Sequence, residues 1–302
     1  MEEKIRIENV TKKFGSYAAL DGISLSFEKG KIHGMIGRNG SGKTVLFKCI
    51  CGFLRVDDGA VFVDGKQIGK EIEAPESIGA IIETPGFLPG YSARQNLQFL
   101  AGIRRKTGKK EIDEAIRKVG LDPEAKKHVG KYSLGMRQRL GIAVALAGNP
   151  DFLVLDEPVN GLDPQGIIEM RELILKLNQE HQITFLISSH ILDELSRLAT
   201  HYGFIDKGHM IKEISARDLE NACRKGVHVD VSDTGVLSCI LDEEGLEYKI
   251  LTEHTADIYG QPDVTELVMK LAARDCRLKA VYEKDESLES YYIRLLGGEG
   301  HA

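Results

Sequence analysis

The chain has 302 residues, 42% of them hydrophobic and 28% charged, with a formal net charge of -6. That balance excludes an intrinsically disordered chain, and it argues against a non-specific nucleic-acid binder, which would be basic. The length suits one large or two modest domains, and two are expected here, 1–218 and 222–302.

Alternation at Ile5 and Ile7, and at Ile23, Leu25 and Phe27, predicts antiparallel strands at the start of the chain. Residues 31–36 read as a short buried strand, and residues 45–50 continue with helical spacing. Between them Gly37-Arg38-Asn39-Gly40-Ser41-Gly42-Lys43-Thr44 matches G-x-x-x-x-G-K-[ST] in full. The chemistry needs glycines because the backbone must curl around phosphates with several N–H groups pointing inward. Lys43 adds a point charge for the β and γ phosphates, Thr44 a hydroxyl for Mg²⁺, and the following helix aims its positive end at the anion. Strand, glycine loop and helix together predict a nucleoside triphosphate site.

Further along, residues 61–66 read as a strand entering a tight turn, and residues 92–128 as a helical arm with apolar stripes at Leu97, Leu100 and Ile103 and at Ile112, Ile116 and Val119. The one strong basic block, residues 104–110, reads as a solvated helix end and loop, the alternative being a contact with a partner or with anionic lipid headgroups. A helix is expected from Leu134 to Leu146, with Ser133 as its N-cap. Phe152, Leu153, Val154 and Leu155 form a buried strand ending in Asp156-Glu157-Pro158. Carboxylates at a strand's carboxyl end sit where α/β sheets bind ligands. Asp156 is placed to hold Mg²⁺ and Glu157 to orient or deprotonate the attacking water. A helix over 165–179, a buried strand over 184–187 and a hairpin over 204–211 follow. Beyond residue 222 the order β-α-β-β-α-β, with a closing helix near 288–296, suits a small ferredoxin-like α+β unit.

With the segment Tyr132-Ser133-Leu134-Gly135-Met136-Arg137-Gln138-Arg139-Leu140 in place, the chain resembles the ATP-binding subunits of ABC transporters over about residues 4–215. The resemblance implies a P-loop NTPase fold of the ABC ATPase type: a mixed sheet core, an antiparallel subdomain and a helical arm, here followed by a small α+β domain. It implies that Phe14 stacks on adenine, that Gly161-Leu162-Asp163 faces a partner subunit, and that His190 is the switch histidine. Ser133, Gly135 and Met136, with Asp163, are then counted among the nucleotide contacts, serving ATP held on the glycine loop of a second subunit. That subunit would be another copy of this chain or a paralogous ATPase. Leu134 and Met136 depart from the family's glycine and glutamine. Glu83 stands where most relatives have a glutamine that touches Mg²⁺ and water, and its surroundings, 83–96, would form the groove for a permease helix, with Pro85, Pro89 and Gly90 allowing it to move. The Glu83 form and the Tyr-Ser-Leu-Gly-Met form resemble the bacitracin and lantibiotic export or immunity branch. The function implied is ATP hydrolysis that powers an exporter of a peptide antibiotic or other hydrophobic compound.

No apolar run approaches the roughly twenty residues that span a bilayer, and the charged start, Met1-Glu2-Glu3-Lys4, lacks a signal-peptide core. The expected location is cytoplasmic, peripheral on the inner face of the membrane through a permease subunit. Cys49, Cys51, Cys223, Cys239 and Cys276 are odd in number and lack metal-site spacing, so they read as reduced thiols; His181, His201, His228 and His254 are scattered. Two other readings remain: a soluble ABC-type ATPase acting on ribosomes or DNA, and a regulatory nucleotide-binding module. The first lacks its usual second glycine loop or long coiled coil here, and the second is disfavoured by the presence of Glu157 and His190.

Overall fold

The computed structural model describes residues 3–83, 86–104, 108–223, 225–260, 262–284 and 286–297. Pro85, the Ile103 side chain and residues 105–107 of the basic block thus lie outside the described residues. The chain divides into two compact units, Met1–Ala216 and Arg217–Ala302.

In the first unit β1 (Glu3–Phe14) and β2 (Tyr17–Glu28) form a hairpin that buries the alternating Ile5, Ile7, Ile23, Leu25 and Phe27 on one face. Then come β3 (Ile32–Ile36), α1 (Lys43–Ile50), β4 (Asp58–Val63), β5 (Lys66–Gln67), β6 (Ile78–Ile81), α2 (Ala93–Arg104) and α3 (Lys109–Lys118). A single 3-10 turn, Val129–Lys131, precedes α4 (Leu134–Leu146), β7 (Phe152–Asp156), α5 (Pro164–His181), β8 (Thr184–Ser188), α6 (Leu192–Ser196), β9 (His201–Asp206) and β10 (His209–Ser215). α7 (Ala216–Ala222) starts at the boundary between the units.

Two sheets result. One is antiparallel, in the order β2-β1-β4-β5; the other runs β10-β9-β3-β8-β7-β6, parallel except for β10. The inner strands of the second sheet are covered on both faces, which is why Phe152, Leu153, Val154 and Leu155 read as an unbroken apolar run: all four are fully buried. Helix α1 lies in one core shared by both sheets, where Leu46, Phe47, Cys49 and Ile50 meet Ile5, Val61, Met35, Phe152 and Ile205. Burial of this kind stabilises by about 25 cal/mol per Å² of apolar surface, so the helix bearing the glycine loop is anchored by packing rather than by propensity.

The helical arm differs from the expected continuous stretch. α3 stops at Lys118 because Gly120 takes left-handed backbone, φ 74°, and the Gly120 and Leu121 N–H groups turn back to the carbonyls of Arg117 and Ile116. Residues 121–128 then run without helix to the 3-10 turn. Arg94 ties α2 to α3 and to the loop beyond through Asp113, at 2.6 Å, and Glu124.

The second unit contains β11 (Gly226–Val231), α8 (Thr234–Glu244), β12 (Tyr248–Ile250), β13 (Thr255–Tyr259), α9 (Val264–Ala273), β14 (Leu278–Glu283) and α10 (Leu288–Gly297). Its sheet is antiparallel in the order β12-β13-β11-β14, the arrangement of a ferredoxin-like unit. Val229, Val231, Ala256 and Ile258 pack against Leu237, Ile240, Leu241, Leu267 and Leu271 to make a core of its own.

Candidate active site

The glycine loop leaves the carboxyl end of β3 and closes into α1. Two of its glycines are dictated by space and backbone. A Cβ at Gly37 would collide with the Ile205 carbonyl and with Ser41 Oγ; Gly42 has φ 110°, and a Cβ there would meet the Ala19 carbonyl at 2.6 Å. The loop wraps around the Lys43 ammonium, which donates to the carbonyls of Gly37 at 2.6 Å and Arg38 at 3.1 Å. Lys43 is buried, and burial lowers its pKa against the opposing pull of Glu157 and Asp156. Ser41 Oγ is buried with no hydrogen-bond partner.

A cavity of about 400 Å³ opens over this loop, lined by Asn39, Gly40, Ser41, Gly42, Lys43, Thr44 and Val45 together with Phe14, Tyr17, Ala19, Asp156 and Glu157. The size is that of a small-molecule site. A buried cation, an orphaned hydroxyl and inward-curving backbone suit a polyanion, and a hydroxyl beside a carboxylate suits a hard divalent cation. Residues of the loop and of the β7 end thus fit both a nucleoside triphosphate and its metal.

Asp156 and Glu157 arrive on β7. Thr44 Oγ1 donates to Asp156 Oδ2 at 2.8 Å, so the first turn of α1 and the end of β7 meet at one point. In the parallel ladder Asp156 pairs with Ser188 at the end of β8. Ser188 Oγ donates to Asp156 Oδ1 at 2.5 Å and accepts from the Glu157 N–H at 2.9 Å, so one hydroxyl fixes both acidic residues. At Glu157 the chain turns, with φ 52°, an unusual conformation for a residue other than glycine. Its Oε2 accepts from His190 Nδ1–H at 2.6 Å and from the His190 backbone N–H at 3.2 Å. A carboxylate held this way by an imidazole can polarise a water beside a phosphate.

At the other end of the cavity the β1–β2 hairpin presents Phe14 and Tyr17, paired across the turn and each about half exposed. Lys12 Nζ lies 5.6 Å from the Phe14 ring centroid, and the Tyr17 hydroxyl donates to the Gly40 carbonyl at 3.3 Å. Two aromatic faces stand open to a flat ring.

The remaining expected residues lie elsewhere. Ser133 caps α4, accepting from the Met136 N–H at 3.2 Å; Asp163 caps α5, accepting from the Gly166 N–H at 2.9 Å. These two caps adjoin, since Leu134 Cδ2 approaches Gly161 and Leu162 Cδ2 approaches Gly135. None of Ser133, Gly135, Met136 and Asp163 lines the cavity over the chain's own loop. Nor does Glu83, whose Oε1 is taken by Lys48 Nζ at 2.7 Å. Tyr17, Ser188 and Lys48 were not singled out by the sequence. Tyr17 and Lys48 had signals, being opposite Phe14 across a tight turn and one helical turn after Thr44; Ser188 had none without the strand register.

The fold and the cavity define a P-loop nucleotide-binding ATPase. Residues 20–160 match the family model described as ABC transporter. Along the whole chain the match extends to the bacitracin transport ATP-binding protein BcrA of Enterococcus faecalis, 38% identical over 100% of this chain and 99% of that protein. BcrA of Bacillus licheniformis is 37% identical over 99% of both. The lantibiotic transport ATP-binding protein SrtF of Streptococcus pyogenes is 38% identical over 72% of this chain and 93% of its own length. Among solved structures, the ADP conformation of MJ1267, an ATP-binding cassette of an ABC transporter, superposes with a TM-score of 0.66 at 28% identity, covering 73% of this chain and 94% of that one. The chain belongs to the ATP-binding subunits of ABC transporters, a family of ATPases.

Proposed function

We propose that this chain hydrolyses ATP to drive export of a peptide antibiotic of the bacitracin or lantibiotic kind through a separate membrane permease. The observation that carries the reading is the end-to-end match to two bacitracin transport ATP-binding proteins, which takes in the second unit as well as the nucleotide site. No described helix is long and apolar enough to cross a membrane, so the pathway would come from another polypeptide, to which this chain binds on the cytoplasmic face. The exposed Leu88, Tyr91 and Phe99, on the segment that the buried Asn96 pins through Leu88 and Ser92, are the proposed contact for it.

In the proposed reaction the loop backbone, Ser41 and Lys43 bind the phosphates, and Phe14 and Tyr17 hold the base. Thr44 and Asp156 would hold Mg²⁺, which when bound neutralises phosphate charge. Glu157 orients the attacking water and takes its proton, while His190 holds the Glu157 carboxylate and senses the γ-phosphate. Ser133 and Gly135, on the helix end remote from the chain's own cavity, cap the γ-phosphate bound to a second copy, so that ATP closes the dimer and hydrolysis opens it. Dimeric cassette structures share the fold: one, of MJ0796, has a TM-score of 0.62 at 24% identity, covering 70% of this chain and 99% of that one.

Expression of this chain with its permease in a peptide-antibiotic-sensitive host tests the proposal. The expected result is a several-fold rise in the inhibitory concentration of a bacitracin-like or lantibiotic peptide, abolished by Glu157→Gln. Unchanged sensitivity to both classes, with the complex assembled and hydrolysing ATP, contradicts the export reading.

A further inference from the structure

Three carboxylates gather at one edge of the central sheet. Asp156 and Glu157 end β7, and Glu83 follows β6, the parallel neighbour whose Ile81 pairs with Leu155. A third negative charge at this edge disfavours a triphosphate, since like charges repel through the partly wet protein. The structure holds a counter-charge. Lys48 Nζ lies 2.7 Å from Glu83 Oε1, and Lys48 stands four residues after Thr44 on α1, hence on the same helical face as the residue beside Asp156. Glu83 itself sits in left-handed backbone, φ 66°, a conformation a non-glycine residue keeps only where its surroundings fix it.

The pair is too open to matter for folding: the Lys48 side chain is 31% exposed and that of Glu83 68%, and exposed ion pairs contribute little stability. Its effect is on the field at the site. From this geometry, and resting on the nucleotide-site reading above, we infer that Lys48 is a positioning residue: it binds one oxygen of Glu83, leaves the other available, and presents a neutral pair to the phosphates in place of a bare carboxylate. Glu83 can then act as an oxygen acceptor without repelling its ligand.

Binding of a non-hydrolysable ATP analogue with Mg²⁺, measured by calorimetry at low and high salt, tests this. Lys48→Gln is expected to weaken binding roughly five- to tenfold at low salt and less at high salt, since the pair is solvent-screened. Lys48→Arg keeps the charge and should bind within about twofold of the parent. Adding Glu83→Gln to Lys48→Gln removes the uncompensated charge and should restore affinity to within about twofold. Wild-type affinity in Lys48→Gln, an equal loss in Lys48→Arg, or a defect that persists in the double variant overturns the inference. Failure of the parent protein to bind the analogue would instead overturn the nucleotide-site reading.

Discussion

Glu157 is the residue on which hydrolysis turns in this account. Its left-handed backbone, its N–H on Ser188 and its carboxylate on His190 leave it few ways to point. Glu157→Gln keeps the shape, and the amide oxygen can still accept from His190, but the side chain loses the charge that takes a proton. We expect turnover to fall about 10² to 10⁴-fold, the range for removal of a general base, while nucleotide binding persists. Steady-state hydrolysis and analogue binding on the same preparation check it; undiminished turnover would remove Glu157 from the reaction. Because the substrate stays whole, the variant should also accumulate as a nucleotide-bound dimer on gel filtration.

Among the elements, β3 carries the glycine loop, and its burial has a pH signature. His33 lies within β3, edge-on to Phe27 and beside His201, with Nε2–H donating to the Glu28 carbonyl at 3.2 Å. Burial pushes its pKa down from 6.5 to about 4, with the positive fields of His201 and Lys31 adding to the effect and the Glu28 carbonyl opposing it. The unfolded chain therefore binds a proton between about pH 4 and 6.5 that the native chain refuses, and stability falls as pH drops through that window. Urea melts should lose about 2 kcal/mol from this group between pH 7 and pH 5, and His33→Gln should abolish that part of the loss. An identical pH slope in the variant would contradict it.

Most elements were legible because their periodicity reports burial directly. The runs at Phe152 and Thr184 could only be buried strands, and Ser133 and Leu146 bounded α4 as expected. The break after α3 was not legible, because Gly120 is one of many glycines and only the hydrogen bonds of Gly120 and Leu121 reveal it as a helix stop. At the site, the motif gave the loop and β7 gave the acids, since both are contiguous in sequence. Ser188 was out of reach for the opposite reason: it meets Asp156 through a ladder register that no local pattern encodes.

At the scale of the whole molecule, the decisive feature is a separation. Lys43 and Glu157 share one cavity, whereas Ser133 and Gly135 stand at the start of α4, away from it. Gly135 is not demanded by its own fold, since a Cβ there would meet only Leu162 Cδ2, at an ordinary 3.8 Å. The second unit adds a core of its own. The proposed dimer joins the loop of each copy to the α4 end of the other, around a two-fold axis. Mixing Lys43→Ala with Gly135→Asp tests that arrangement most directly. Each variant alone should be inactive, for its two sites are both damaged. In the mixed dimer one site collects both lesions and the other is intact, so an equimolar mixture should recover about a quarter of wild-type ATPase activity on statistical pairing. No recovery from two folded variants that still form dimers would contradict a nucleotide site shared between copies.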